Sequence, residues 1–282
     1  MTTQSEKAQR FRALHQGERA FIIPNPWDIG SARLLEQLGF EALATTSAGY
    51  AFSRGTLDRE VGREAMMAHV AEIVSATDLP VSADLENGYG HSPETVAETI
   101  RMAAAQGLAG GSIEDASGDA GEPIYAMELA RERIEAAAEA ARSLPFPFTL
   151  TARAENYLHG RADLNDTIRR LQAFEEAGAD VLYAPGLTSK EDIAAVVSSV
   201  DRPVNVLAGI PAMRLDLASL SDIGVKRIST GSALARAALG AFLLSAREMA
   251  LHGTFGFVEG AIANSRDVVP LLQAWKESAR RK

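Results

Sequence analysis

The chain contains no cysteine. That excludes disulfides, a thiolate nucleophile and zinc held by thiolates, and it makes a reducing, cytoplasmic setting the expectation. Basic charge is scarce as well: 28 Lys and Arg stand against 37 Asp and Glu, for a formal net charge of -9. No positive field remains to attract a nucleic-acid backbone or an anionic membrane surface, so neither is expected as a partner. No uncharged apolar run reaches the roughly 18 residues of a membrane span. Residues 1–12 are polar and charged and lack the apolar centre of an export signal. An anionic substrate would meet this acidic sum as repulsion, which local arginines or a bound cation must offset.

What is present reads as one globular domain. The 282 residues are 46% hydrophobic and 23% charged, enough to bury a full core. Eight short apolar runs alternate with longer stretches of helical periodicity, the pattern of parallel strands joined by crossover helices. The runs cover residues 20–24, 42–46, 81–85, 111–114, 148–152, 181–184, 204–207 and 227–230. Helical patterns include residues 59–76, 93–106 and 163–177, the second opened by Ser92 as N-cap and Pro93 at the first helical position. Even-numbered strands follow helices that end in Gly39, Gly107, Gly178 and Gly224, which suit left-handed helix stops. Strands three, five and seven instead follow Pro80, Pro147 and Pro203. This odd/even distinction is compatible with a closed (β/α)8 TIM barrel, the expected α/β fold, with an open doubly wound sheet as the alternative. Residues 1–19 form a capping helix with Ala8, Phe11 and Leu14 on one side, placed under the barrel floor. Residues 20–250 form the barrel. Residues 251–282 form a helical extension whose Val268, Leu271, Leu272 and Trp275 need a surface to cover, on this barrel or on a second subunit.

In such a barrel the chemistry gathers at the C-terminal strand ends. Polar residues concentrate there: Asn25, Trp27 and Asp28 after the first strand; Thr45, Thr46, Ser47 and Gly49 after the second; Asp84 and Glu86; Glu114 and Asp115; Arg153 and Glu155; and Asn205 on the seventh. Asp84 and Glu86 lie two apart in an extended segment and so point to one side of the wall. Glu114 arrives at the next strand tip. Three carboxylates confined together repel unless a cation sits among them, and oxygen donors without His or Cys favour Mg2+, or Mn2+, over zinc. The bland alternative is a set of solvated loop carboxylates. Ser47-Ala48-Gly49 offers a hydroxyl and closely spaced N–H groups that can cradle a carboxylate or an enolate oxygen, or it is a small-residue turn. Gly88-Tyr89-Gly90 reads as a tight loop whose glycines let the backbone approach a ligand, or as a plain turn. Arg153 is shaped to grip a carboxylate, or else pairs with Glu155 or Glu114. His15, His69, His159 and His252 fall in helices or at their ends and are expected to face solvent. His91 is expected nearest the site.

The ordered set Pro24-Asn25-Pro26-Trp27-Asp28, Thr45-Thr46-Ser47-Ala48-Gly49, Asp84-Leu85-Glu86-Asn87-Gly88-Tyr89-Gly90, Ser112-Ile113-Glu114-Asp115 and Ala152-Arg153 closely resembles the isocitrate lyase and phosphoenolpyruvate mutase superfamily, over about residues 11 to 254. The resemblance implies a TIM barrel with Mg2+ held near Asp84, Glu86 and Glu114, largely through water, and with Asp58 nearby. It implies a small 2-oxo acid resting against Ser47, Ala48, Gly49 and Arg153, and Trp27 and Asn205 are further candidates for that wall. Ser47, Asp58 and Arg153 are the candidate catalytic groups. Homodimers or homotetramers that exchange a C-terminal helix are also implied, as is chemistry that makes or breaks a bond to C3 of a 2-oxo acid through an enolate.

Two departures shape the functional expectation. Lyases of this superfamily carry a K-[KR]-C-G-H loop after the fourth strand, and mutases carry Lys and Asn there; here residues 115–125 read DASGDAGEPIY, with no Cys, Lys, His or Asn. Glu86 also stands where aspartate is usual. Decarboxylation asks least of such a loop, since loss of carbon dioxide yields the enolate directly. The expectation is therefore a Mg2+-dependent carbon–carbon lyase for a 2-oxo or 2-hydroxy dicarboxylate, oxaloacetate being the simplest. The alternatives are a phosphonopyruvate hydrolase or mutase acting on a carbon–phosphorus bond, and a metabolite-binding barrel without turnover.

Overall fold

A computed structural model describes residues 2–280. Helix α1 (Gln4–Leu14) precedes β1 (Phe21–Ile23), α2 (Ile29–Gln37), β2 (Leu43–Ala44), α3 (Ser47–Ser53), α4 (Arg63–Ala76), β3 (Val81–Asp84), α5 (Pro93–Ala105) and β4 (Gly110–Glu114). Then come α6 (Met127–Arg142), β5 (Thr149–Arg153), a 3-10 turn (Asn156–His159), α7 (Leu164–Glu176), β6 (Val181–Tyr183), α8 (Lys190–Ser198), β7 (Val204–Leu207), α9 (Leu217–Asp222) and β8 (Arg227–Ser229). Helices α10 (Ala233–His252), α11 (Phe257–Ser265) and α12 (Val268–Arg280) follow.

All eight expected strands are present, and every ladder between them is parallel, in the order β1-β8-β7-β6-β5-β4-β3-β2. The ends of this sheet meet where Ala44 N–H donates to the Pro24 carbonyl at 3.1 Å, so the strands form a nearly closed TIM barrel. An open doubly wound sheet has no such seam. The four helix-ending glycines all take left-handed φ angles, between 86° and 104°. Ser92 caps α5 with Pro93 in its first turn, as its residue types require. The expected helix 59–76 starts later, at Arg63, because Arg59 (φ 70°) and Gly62 (φ 22°) break its entry.

Helix α1 closes the floor. Its capping box (Thr3 and Glu6) sets the start, and Ala8 and Phe11 are buried with Phe21, Ile23, Ala42 and Ala109. Gln4 Nε2 donates to the carbonyls of Ala104 and Leu108 at 2.7 and 3.0 Å, tying the helix to the turn before β4.

At the other end α10 leaves the barrel: only Ala235 is buried along its 20 residues. Phe242, Leu244 and Leu251 are 65%, 70% and 73% exposed. Helix α12 returns to α2 of the same chain, where the Arg33 guanidinium lies 3.7 Å from the Trp275 ring centre and Trp275 Nε1 donates to Glu36 at 3.2 Å. The face of Leu271, Leu272 and Trp275 thus covers part of its own barrel and is half-buried there.

Candidate active site

The strand period of two decides which side chains enter the barrel mouth. Asp84, Glu114, Arg153 and Tyr183 are the last residues of four neighbouring strands, and the ladder pairs Glu114 with Arg153, Arg153 with Tyr183, Tyr183 with Asn205, and Asn205 with Arg227. All six line one cavity of about 470 Å3, together with Ser47, Ala48, Asp58, Arg59, Glu86, Glu155 and His159.

Asp84 is the hub. Its Oδ2 accepts from the Ser47 hydroxyl at 2.9 Å and from Ser47 N–H at 3.3 Å; its Oδ1 accepts from Arg153 Nη1 at 3.0 Å and Glu86 N–H at 3.4 Å. The Ser47 hydroxyl also lies 3.2 Å from Asp58 Oδ1. Arg153 makes both ion pairs its surroundings offered and one more: Nε to Glu155 at 2.9 Å, Nη2 to Glu114 at 3.2 Å, and Nη1 to Asp84. Arg59 holds the other Glu114 oxygen. Ser47-Ala48-Gly49 is the first turn of α3, capped by Thr46, whose Oγ1 accepts from Gly49 N–H at 3.2 Å. Ser47 and Ala48 face the cavity; Gly49 does not. Trp27 also stands outside the wall, its Cβ packed over Gly49.

The loop after β3 is held under strain from behind. Glu86 (φ 50°) and Tyr89 (φ 59°) are left-handed without being glycine. Buried Arg133 of α6 grips the carbonyls of Asn87, Gly90 and His91, and Thr99 Oγ1 donates to Gly88 O at 2.8 Å. Gly90 answers to packing, since a Cβ there would lie 2.5 Å from Thr95 of α5; neither it nor Gly88 lines the cavity.

Four of the five histidines depart from expectation: two are buried, and His159 rather than His91 is the one at the site. His15 and His69 are buried, at 5% and 2% exposure. His15 packs edge-on to Phe11 and Phe21 beneath the barrel, and His69 stacks on Tyr50 with ring centres 3.8 Å apart. His159 reaches the cavity, whereas His91 bonds the Tyr125 hydroxyl at 2.8 Å in a separate depression. Asp115 likewise turns away from the cavity, accepting from Glu155 N–H at 2.8 Å and Arg170 at 3.1 Å. The segment 115–125 folds back on itself through an antiparallel bridge between Ala116 and Ile124 and adds no residue to the cavity wall. Arg59, Tyr183 and Arg227 are wall residues that carry no signal in the sequence pattern.

Crowding shows in the acidities. Burial first, then repulsion from Asp84, Glu114 and Asp58, pushes Glu86 up to about 8. Burial also raises Glu114 to about 8 against the pull of Arg153, and raises Asp58 with Asp84 adding to it. Among the described residues no group of three or more His, Asp or Glu side chains forms a ready-made metal cage. The reason is local: arginines already answer Asp84 and Glu114. The charged donors are nonetheless oxygen-rich, five carboxylates to three guanidiniums around one cavity, with His159 the one imidazole in its wall. This set fits the habit of Mg2+, which keeps several waters and takes one or two carboxylates plus substrate oxygens.

A stability prediction follows from these shifts. A carboxyl whose folded pKa is raised binds its proton better folded than unfolded, so its contribution is lost as pH climbs from the unfolded value toward the folded one. Neutral buried His15 and His69, pulled by burial to about 3 and about 4, act oppositely, but only below about pH 6.5. Between pH 6.5 and 8 the glutamates decide the sign. In EDTA the melting temperature is expected to fall by roughly 5 °C over that window, for about 2 kcal/mol, and Mg2+ is expected to restore more of it at pH 8 than at 6.5. A flat or rising EDTA curve contradicts the crowded-carboxylate picture.

A family model described as phosphoenolpyruvate phosphomutase matches residues 11–250. The oxaloacetate decarboxylase of Paraburkholderia xenovorans (strain LB400) is 32% identical, across 79% of this chain and 75% of its own length. A solved structure from Burkholderia cenocepacia J2315, provisionally described as a lyase/mutase, is 61% identical with a TM-score of 0.92, covering 95% of this chain and 96% of that one. Oxaloacetate acetylhydrolase in complex with its product oxalate is 25% identical with a TM-score of 0.84, over 100% and 99% of the two chains.

Proposed function

The chain belongs to the phosphoenolpyruvate phosphomutase family, and from that membership we propose that it is a carbon–carbon lyase that decarboxylates a small 2-oxo dicarboxylate, with oxaloacetate the simplest substrate and Mg2+ the cation. The observation that carries this choice within the family is the loop 115–125, which is bridged upon itself and leaves the cavity without an acid or base from that side. Decarboxylation is the reaction that needs none. The C3–C4 bond breaks, its electron pair moves toward C2 and the C2 oxygen, neutral carbon dioxide departs, and solvent later supplies one proton to C3.

In this reading Asp84, Glu86 and Glu114 hold the cation, partly through water, with Asp58 close by. When bound, it supplies Lewis-acid stabilisation of developing negative charge. Arg153, kept ionised by Glu155, Glu114 and Asp84, adds a fixed positive group that cannot reorient away from that charge. The Ser47 hydroxyl donates toward Asp84 and Asp58 and so presents its oxygen to the cavity at the start of α3. Asn205, whose Nδ2 donates to Ser229 at 3.0 Å and whose Oδ1 accepts from Arg227 at 2.9 Å, is a fixed amide in the wall against which the substrate rests. The exposed apolar length of α10 and α11 supports a homo-oligomer, in which a second copy covers Phe242, Leu244, Leu251 and Ile262.

Pyruvate release from oxaloacetate, with and without Mg2+ and corrected for the metal's own catalysis, tests the reaction. Enzyme-dependent pyruvate is expected, with no phosphate released from phosphonopyruvate. Phosphate release identifies a carbon–phosphorus enzyme instead. Tight oxalate binding with no turnover across a panel of dicarboxylates identifies a binding protein.

A further inference from the structure

Of the cations in the cavity wall, Arg153 is ringed by three carboxylates and Arg59 is paired with Glu114. Arg227, on β8, differs. It is 5% exposed and lines the same cavity, yet among the described residues no carboxylate forms an ion pair with it. Its partners are neutral: Nε donates to Asn205 Oδ1 at 2.9 Å, and Nη1 lies 3.5 Å from His15 Nε2. His15 Nδ1 lies 2.9 Å from the Phe11 carbonyl, an acceptor, so that nitrogen carries the proton and Nε2 is left as an acceptor toward Arg227. The acidity of His15, depressed by burial and by Arg227 itself, agrees with a neutral ring. Two further ionisable groups act on Arg227: Arg153, whose like charge opposes it, and Tyr183, whose phenol burial raises to about 12 so that it brings no negative charge.

A guanidinium taken from water without a counter-charge is costly, and proteins pair or coordinate such groups. Here the unfilled side of Arg227 gives onto the cavity. We propose that Arg227 is a substrate-binding residue that holds one carboxylate of the ligand at the base of the cavity, opposite the carboxylates at its rim. This rests on the reading of the cavity as a 2-oxo acid site. For a decarboxylation the carboxylate held is the retained one, because a cation clamped on the leaving group would stabilise the charged reactant over departing neutral carbon dioxide. The inward-facing residues that share this wall, Asn205, Ser229 and Tyr183, are neutral hydrogen-bonding groups suited to the rest of a small polar ligand.

The test uses the intact protein and direct titration with oxalate and with pyruvate, which keeps the retained carboxylate alone, in Mg2+. Arg227→Met is expected to weaken both ligands at least 10-fold, and Arg227→Lys by less. If oxaloacetate is turned over, KM is expected to rise more than kcat falls, the mark of a contact made equally in ground and transition states. Melting temperature separates binding from support: Arg227→Met strands no carboxylate and is expected to melt at or above the wild type. Wild-type affinity for both ligands in Arg227→Met overturns the proposal. So does a drop in melting temperature in both variants with their ligand affinities equally reduced, since that is the behaviour of a structural arginine. Because neither ligand need react, failure of the decarboxylase reading leaves this test intact.

Discussion

Asp84→Ala is expected to lower kcat/KM for pyruvate release from oxaloacetate by roughly 1,000-fold or more, the scale seen when a pre-aimed electrostatic group is removed from a water-poor site. The expectation comes from how many groups that one carboxylate aims. It receives the Ser47 hydroxyl and N–H, one arm of Arg153 and the N–H of Glu86, so its loss releases three walls of the cavity together. It also removes the carboxylate most central to the candidate cation donors. The fold is expected to survive, because Arg153 keeps Glu114 and Glu155. Asp84→Asn separates shape from charge: the amide keeps an acceptor for Ser47 but presents no anion to a cation or to Arg153. Steady-state rates of both variants across a Mg2+ titration check the argument. Rates within about threefold of the wild type in Asp84→Ala would sink the assignment of this cluster to catalysis.

How far such a site is legible in advance depends on what places each residue. Asp84, Glu114 and Arg153 end strands, and a strand end in a parallel barrel fixes both position and direction, so they stand out in the sequence itself. The helix-ending glycines and strand-entry prolines mark the eight units for the same local reason. Arg227 sits at the first residue of its strand, a layer that a C-terminal-end rule passes over, and Arg59 arrives on a left-handed loop residue. Nothing in spacing announces either. The two buried histidines are a different failure, since helical phase does place them. His15 lies four residues after Phe11 on the face of α1 that meets the floor, and His69 falls between Met66, Val70 and Ile73 on the buried face of α4. Polarity alone suggested solvent where phase pointed inward.

Arg153→Met is expected to be the most damaging single change to stability in the site, by about 3 to 5 kcal/mol, as well as ending turnover. The side chain is 14% exposed and pairs with three carboxylates whose side chains are 20%, 5% and 3% exposed. Removing the guanidinium leaves those charges facing one another in a poorly solvated wall, and their escape is to take up protons. Protonation gives the loss a sign with pH. Neutralising Glu114 and its neighbours is easier at pH 6.5 than at 8, so the gap in melting temperature between variant and wild type is expected to widen as pH rises. Arg153→Lys keeps a charge but not the fork that reaches Glu155, Glu114 and Asp84 at once, and it is expected to lie between the two. Melting curves at both pH values in EDTA read this directly; a gap that narrows toward pH 8 overturns it. The contrast with Arg227 sharpens the point. Both are buried guanidiniums in one wall, but removal of Arg153 strands three anions and removal of Arg227 strands none. One is therefore part of what the barrel mouth stands on, and the other is a positive charge held ready for a ligand to neutralise.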